Sequence, residues 1–286
     1  EYTLDSGFTT ALEKENIDYE TISLMEYDAI PDDAECIIIH APEKDFSEDD
    51  ANKVIDYLNN GGKAFITTEY VEEQMPNFEK ILSEFGLTIE KGYAVDTNAG
   101  NYYQTPIYLL PNVEYSDETT GLTGSHTYVM APYAEAIAVP DVDVDSITYT
   151  KLLTTSEKSL VKTDVKNATS FDKEEGDIEG PLCIGVKAEK TLDSGSAVLY
   201  VFSSAQFFTD NVDNAVSGNN RTLFTNIMST IASHDVSVSV PVKSYDYDNL
   251  TASTKDVVLF ETIVVILIPL ALIITGFVVW FKRRKK

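Results

Sequence analysis

The chain has 286 residues, 43% of them hydrophobic and 10% aromatic, with Lys+Arg 21 against Asp+Glu 47 and a net charge of −26. This apolar content excludes a disordered acidic tail, and the length is enough to bury one large core or two modest ones. The acidity argues against nucleic acid as a partner, because phosphate binding needs clustered Lys and Arg. With only Cys36 and Cys183, a disulfide-built scaffold and a multi-cysteine zinc module are also unlike this chain.

In chain order, Phe8, Ala11 and Leu12 mark one face of a short first helix. Residues 17–24 (IDYETISL) read as a strand, and 28–35 read as a loop broken by Pro31. Residues 36–40 (CIIIH) are continuously apolar up to His40, as expected of a strand covered on both faces of a parallel sheet. A helix follows, with Ser47 as N-cap, Asp50 in a capping-box role and Ala51, Val54, Ile55 and Leu58 on one face. Gly61 and Gly62 end it, and residues 63–68 form the next strand. Met75, Phe78, Leu82 and Phe85 mark another helix, stopped by Gly86, before a strand over 87–95. This alternation predicts a doubly wound, mostly parallel α/β sheet.

From residue 96 the helical period fades, and Pro106, Pro111, Pro132 and Pro140 punctuate the chain. Residues 126–139, 147–154, 182–188 and 197–202 read as strands, and 164–180 as a charged loop. Leu223, Ile227 and Ile231 mark a helix over 218–232. The expected organisation is an α/β domain over 1–235 with a β-rich insertion at 96–190. A stalk over 236–256, a transmembrane helix over 257–281 and a basic tail over 282–286 complete it.

Residues 262–281 carry no charge, and twenty helical residues span about 30 Å, the thickness of a hydrocarbon core. Trp280 stands at the membrane-interface position, followed by Lys282, Arg283, Arg284, Lys285 and Lys286. Cationic flanks stay cytoplasmic, so the acidic domain is expected outside the cell membrane, with the lipid bilayer as a partner. A tail-anchored cytosolic protein is the competing topology. The first twenty residues are polar and charged and the chain starts with Glu1, so a removed signal or further upstream chain is expected.

Motifs for catalysis are weak. Gly61-Gly62-Lys63 has Tyr57 where a phosphate loop needs Gly, and it joins helix to strand rather than strand to helix. No G-x-S-x-G or G-x-C-x-G elbow occurs. Cys36 and Cys183 sit in apolar strands as core thiols, with a mutual disulfide as the alternative. His40, His126 and His234 form no metal-ligand pattern, so neither a metal nor a cofactor is expected. Asp141, Asp143 and Asp145 begin like a calcium loop, but Ser146 and Leu152 stand at the positions that need Gly and Glu. Asp246 and Asp248 read as solvating stalk residues, and Asn167, Asn220 and Asn249 each open an N-x-[ST] sequon. The candidate ligand edge is the C-terminal end of the parallel strands, where α/β sheets bind ligands: His40, Glu69, Tyr70, Ser203 and Ser204.

The order of segments is itself informative. A strand ending at Pro42 leads into the Ser47-capped helix closed by Gly61-Gly62. Then come residues 85–97, Leu152-Leu153-Thr154-Thr155-Ser156, Gly180-Pro181-Leu182, the run from Ser203 to Phe208, and Gly218-Asn219-Asn220. A final apolar segment holds Ile268-Pro269-Leu270, Gly276, Trp280 and Arg283-Arg284. In this order and spacing, over nearly its whole length, the chain resembles the GldG-like family of ABC-type transport system auxiliary proteins. The resemblance implies a degenerate domain related in fold to class I glutamine amidotransferases, without their catalytic cysteine. It implies a non-catalytic bacterial membrane subunit that works with a separate ABC ATPase and an integral permease. It also implies that this chain is the C-terminal portion of a longer protein. An extracytoplasmic ligand- or glycan-binding receptor, and an amidotransferase- or hydrolase-like enzyme, are the alternative expectations.

Overall fold

A computed structural model describes residues 4–124, 127–140, 146–168, 170–193, 195–232 and 254–284. His126, His234, Asp141, Asp143, Asp145, Asp246, Asp248, Asn249, Lys285 and Lys286 lie outside these residues, as does nearly all of the stalk.

The elements run α1 (Ser6–Lys14), β1 (Ile37–His40), α2 (Glu48–Asn59), β2 (Lys63–Thr67), α3 (Pro76–Ser83), β3 (Thr88–Glu90) and β4 (Tyr93–Asp96). The middle of the chain gives β5 (Tyr108–Leu109), β6 (Asn112–Val113), β7 (Ala131–Pro132), β8 (Ala136–Ala138), β9 (Ile147–Thr154), β10 (Ser159–Lys162) and β11 (Ile178–Glu179). There follow β12 (Cys183–Leu192), β13 (Gly195–Phe202), a 3-10 turn (Ala205–Phe208), α4 (Asp210–Ala215), α5 (Asn219–Ala232), α6 (Thr254–Glu261) and α7 (Ile268–Arg284).

The helix ends obey local chemistry. Ser47 Oγ accepts the Asp50 amide at 3.1 Å and lies 2.8 Å from the Asp50 carboxylate. At the other end of α2, Gly61 has φ +93°, its amide meets Leu58 O, and the Gly62 amide reaches back to Tyr57 O. That is a full Schellman closure. Gly86 closes α3 in the same way, with φ +67° and the Leu87 amide on Leu82 O.

The main sheet is mixed rather than mostly parallel. Among the described residues only β1, β2 and β13 pair in parallel. β12 joins β13 antiparallel through an eight-pair ladder, then continues to β9 and β8, with β6 on β9 and β3 on β8. The reason is connection length: only two residues separate the paired Leu192 and Gly195 at the ends of β12 and β13, and so short a connection permits only antiparallel pairing. The strands of the β-rich middle segment therefore extend the same sheet that β1 and β2 begin. A small sheet of β11, β10 and β4 flanks it.

Two helical layers cover the sheet. Phe65, Tyr200 and Phe202 pack with α1 and α5 on one face, and Ala64, Ile66, Leu199 and Val201 pack with α2 and α3 on the other. This alternation explains why the parallel strands read as unbroken apolar runs. Residues 17–24 form no named strand. Ile17 packs on the α1–α5 face and Leu24 on the α2–α3 face, so the segment passes around the sheet rather than pairing within it.

In the C-terminal segment, Val258–Gly276 is long and apolar enough to cross a membrane, and none of it is buried. A π-helical stretch over Thr262–Leu267 leads directly into Pro269. Proline lacks an amide and its ring crowds the carbonyl four residues before it, so a widened turn at this point relieves that conflict. Trp280 carries the Arg284 guanidinium over its ring at 5.0 Å, and Lys282, Arg283 and Arg284 are exposed in the last turn.

Candidate functional site

The parallel strands β1, β2 and β13 end together, and the chain leaves each one by a polar residue. His40 ends β1. Its Nδ1 lies 2.7 Å from Thr67 Oγ1, at the end of β2, and the Ala41 amide donates to the same hydroxyl at 2.9 Å. Its ring stands edge-on to Phe208 at 6.1 Å. Burial drives the His40 pKa down from 6.5 to about 4, against a smaller opposing pull from Asp5. The imidazole is thus neutral at physiological pH. Ala41 follows with φ +40° while almost fully buried, a strained conformation for a residue other than glycine.

From β2 the chain continues through Thr68, Glu69 and Tyr70. The Thr68 hydroxyl donates to Glu135 Oε2 at 3.0 Å. Glu135 is only 3% exposed, and burial raises its pKa from 4.5 to about 7, with Thr68 and Lys91 opposing and Glu69 and Glu79 adding to the rise. Tyr70 packs against Tyr93 at 5.2 Å, Tyr93 against Tyr133 at 5.8 Å, and Tyr133 against Tyr108 at 5.5 Å. Burial raises the Tyr93 pKa, and the nearby charges of Glu69, Tyr70 and Glu135 raise it further. Tyr133 is held at φ +53°. A cleft of about 350 Å³ opens between Ala41–Glu43 and Glu69–Glu72. A larger one, about 570 Å³, lies at the opposite end of the strands, between loop 28–35 and Gly61–Lys63. The smaller cleft, with Glu43, Glu69, Tyr70 and Glu72 in its lining, sits at the C-terminal ends of the parallel strands, where α/β sheets bind ligands, so it is the better candidate.

Of the five residues expected at this edge, His40, Glu69 and Tyr70 lie around it. Ser203 and Ser204 do not serve it. Both are buried: Ser203 Oγ sits 2.8 Å from Glu135 O and 3.1 Å from Ile184 O, and Ser204 Oγ donates to Pro132 O at 2.6 Å. Their hydroxyls knit β13 to the middle strands instead. Tyr93 and Tyr133 pack in turn behind Tyr70, and Thr68 bonds Glu135, none of the four being in the lining of the cleft, and sequence reasoning passed over them. Glu135 alone gave a signal, as the one carboxylate inside the apolar run 128–139.

The two thiols stand apart from this chemistry. Burial pushes both Cys36 and Cys183 up to about 12, so neither is a thiolate nucleophile near neutral pH. Both are free. β1 and β12 are separated by β2 and β13, about 14 Å at the usual strand spacing, which is beyond disulfide reach. Among the described residues no group of three His, Cys, Asp or Glu side chains suits a metal ion. The sequon at Asn220 is also reinterpreted. This side chain is fully buried, accepts the Met130 amide and donates to Met130 O and Phe207 O, so it is a structural brace.

Comparison with known proteins places this geometry. No curated protein sequence matches the chain. A solved structure described as the mmIFT52 N-terminal domain superposes with a TM-score of 0.57 at 15% identity, covering 82% of this chain and 92% of that one. At that identity the likeness speaks for the fold alone. A ThuA-like protein from Bacteroides uniformis gives a TM-score of 0.46 at 18% identity, over 79% of this chain and 83% of that one. A family profile described as an ABC-type uncharacterized transport system matches residues 2–227. That match takes in the α/β sheet, both helical layers and the strand-end cleft, and the chain belongs to this transport-system family.

Proposed function

We propose that the protein is a non-catalytic, membrane-anchored auxiliary subunit of an ABC-type transport complex, working beside a separate ATPase and an integral permease. Membership of the transport-system family over residues 2–227 is the observation that carries this reading. Three features support it. The apolar span Val258–Gly276 runs on into a helix whose last turn carries Lys282, Arg283 and Arg284, which suits an anchor with its basic end in the cytoplasm and the acidic domain outside. The strand-end edge presents a neutral imidazole, a hydroxyl-bonded carboxylate and tyrosines, while both thiols lie elsewhere with raised pKa values. Gly61-Gly62-Lys63, the one stretch with phosphate-loop character, is a helix-closing turn. In this reading the soluble part is a degenerate relative of the class I glutamine amidotransferase fold, kept for docking rather than for acyl transfer.

The test is affinity purification of the tagged full-length chain from native membranes in mild detergent. Co-purification of an ATPase with a phosphate loop and of a multi-span permease is expected. Repeated recovery of the chain with neither would overturn the reading.

A further inference from the structure

We propose that the folded domain rests on the headgroup layer of the bilayer through the turn at residues 98–101 and the uncharged stretch around it, held there by a hydrogen bond from the start of the anchor helix. The inference rests on reading Val258–Gly276 as a membrane span and not on the identity of any transport partner.

The contact joins elements far apart in the chain. The first amides of a helix have no partner within it. In α6 the Lys255 amide donates to Ala99 O at 3.0 Å, so a carbonyl of the folded domain caps the helix that leads into the apolar span. Ala99 and Gly100 are the central residues of a tight turn, closed by the Asn101 amide on Asn98 O at 2.8 Å. The turn is firmly built. Asp96 accepts the Asn98 amide at 2.9 Å and the Ser156 amide at 2.8 Å, and Asn98 Nδ2 donates to Asn101 Oδ1 at 2.7 Å. The capping carbonyl is therefore fixed by the domain, and it fixes the helix in turn.

Helix geometry sets the depth of this contact. Lys255 stands three residues before Val258, a rise of about 4.5 Å. The polar zone on each side of a hydrocarbon core is about 5 to 8 Å thick. With Val258 at the edge of the core, the turn lies among headgroups, and tilt of the helix only brings it closer. The turn also lies at one particular end of the sheet. Ser156 follows β9, whose last residue Thr154 pairs with Cys183 of β12, and nearby Gly185 pairs with Phe202 at the end of β13. The strand-end edge is thus membrane-proximal, and loop 28–35 at the other end is distal.

The surface around the turn suits that position. Residues 97–113 carry no charge, where a chain with 24% charged residues would ordinarily place about four in a stretch of this length. The acid just before them, Asp96, is fully buried. The adjoining turn adds exposed Glu157 and Lys158, one charge of each sign. An otherwise acidic domain thus offers the bilayer a neutral patch at the point where its anchor joins it. Tyr102 and Tyr103 follow the turn and are half-exposed, and Tyr103 packs against the cluster of Leu110, Met130 and Val216. Tyrosine, with an apolar body and a polar tip, is a residue that headgroup zones favour.

Spin labelling of the full-length chain in phosphatidylcholine nanodiscs, with no other protein present, tests this. One cysteine is placed at a time: Gly100→Cys, where an added Cβ meets open space, Asp33→Cys in the exposed distal loop, and Leu272→Cys in the span. The parent, labelled in parallel, gives the background from Cys36 and Cys183. Collision with a water-soluble nickel chelate is expected to be strongest at position 33, about threefold weaker at 100 and lost at 272, as suits water, headgroups and hydrocarbon. Lys255→Pro removes the donor to Ala99, and proline is tolerated in the first turn of a helix. Lys255→Ala removes the charge but keeps the donor. In the proline variant the label at 100 is expected to rise to the collision rate seen at 33, and in the alanine variant to stay as in the parent. Equal rates at 33 and 100 with 272 shielded would overturn the docking and leave the span reading intact, as would equal rates at 100 in the two Lys255 variants. Collision with the chelate at 272 would remove the span reading and this proposal with it.

Discussion

Glu135 and His40 are buried titratable groups whose pKa values move in opposite directions, and together they set how stability responds to pH. Glu135 holds its proton more tightly when folded, so its stabilising contribution is complete below about 4.5 and is lost as pH rises toward about 7. His40 behaves inversely. Its folded pKa is depressed, so its contribution is present above 6.5 and is lost as pH falls toward about 4. The two windows overlap, and over the shared range the two slopes oppose each other. In urea unfolding of the full-length chain, Glu135→Gln is therefore expected to gain stability over the parent between pH 5 and pH 8, on the order of 3 kcal/mol for a fully buried group. His40→Gln should show the complementary change, a relative gain at pH 4 to 5. It will be smaller, because the imidazole is only half-buried. Parallel pH profiles for parent and both variants would show that neither group titrates as argued. Such residues are hard to see in a sequence. His40 was legible because it ends an apolar strand, and Glu69 and Tyr70 because they follow one. Ser203 and Ser204 occupy the equivalent position after β13, yet their side chains turn inward to the carbonyls of Ile184, Glu135 and Pro132. Position along a strand is written in the sequence, whereas the carbonyls a hydroxyl will find are not.

At the scale of elements, helices and their ends were the most legible part. Ala51, Val54, Ile55 and Leu58 fall on the buried face of α2, and Gly61 and Gly86 close their helices through the positive φ that favours glycine. Strand partners were less legible, because an apolar run does not state its neighbour. CIIIH and AVLYVF read alike, but among the described residues β1 has one sheet neighbour while β13 is flanked by parallel β2 and antiparallel β12. The joint between α5 and the middle segment makes a specific prediction. Asn220 spans the amide and carbonyl of Met130 and the carbonyl of Phe207 through three hydrogen bonds of 3.0, 2.8 and 2.8 Å, all inside the protein. Asn220→Ala strands three buried backbone groups at once, and the expected loss is about 3 kcal/mol. Asn220→Asp keeps the acceptor toward the Met130 amide but sets a carboxylate against two carbonyls, and should destabilise at least as much. A midpoint within experimental error of the parent for Asn220→Ala would mean that the brace carries no net stability. The aromatic cluster beneath it is the other keystone. Phe208 touches Phe8, Phe65, Phe202, Phe207 and Phe224 at ring distances of 4.7 to 5.8 Å. Phe208→Ala is expected to cost about 3 to 5 kcal/mol by cavity formation, read from the shift in the urea midpoint.

Over the whole molecule, the charge is segregated rather than spread. Residues 1–256 carry 16 cations against 46 acids, while the last thirty residues carry five cations and the single acid Glu261. In the proposed topology, anionic headgroups would repel the acidic domain, and the terminal cations would face the anionic cytoplasmic leaflet. Orientation in the membrane is therefore expected to depend on Lys282–Lys286 more than on any feature of the folded part. Both native thiols are buried or half-buried with raised pKa values, which leaves the surface free for a reporter. A cysteine placed at exposed Thr123 should react with a membrane-impermeant maleimide in intact cells, with Cys36 and Cys183 silent in the parent. Replacing Lys282, Arg283, Arg284, Lys285 and Lys286 together by Gln removes the cationic stop without shortening the apolar span. Labelling of the reporter in intact cells should then fall, and full labelling should return only after the cells are opened. If the parent reporter is silent until lysis, the acidic domain lies inside and the tail-anchored topology holds. If the Gln variant labels as fully as the parent, the direction of insertion is set upstream of the anchor, and the terminal charges serve only to fix its depth.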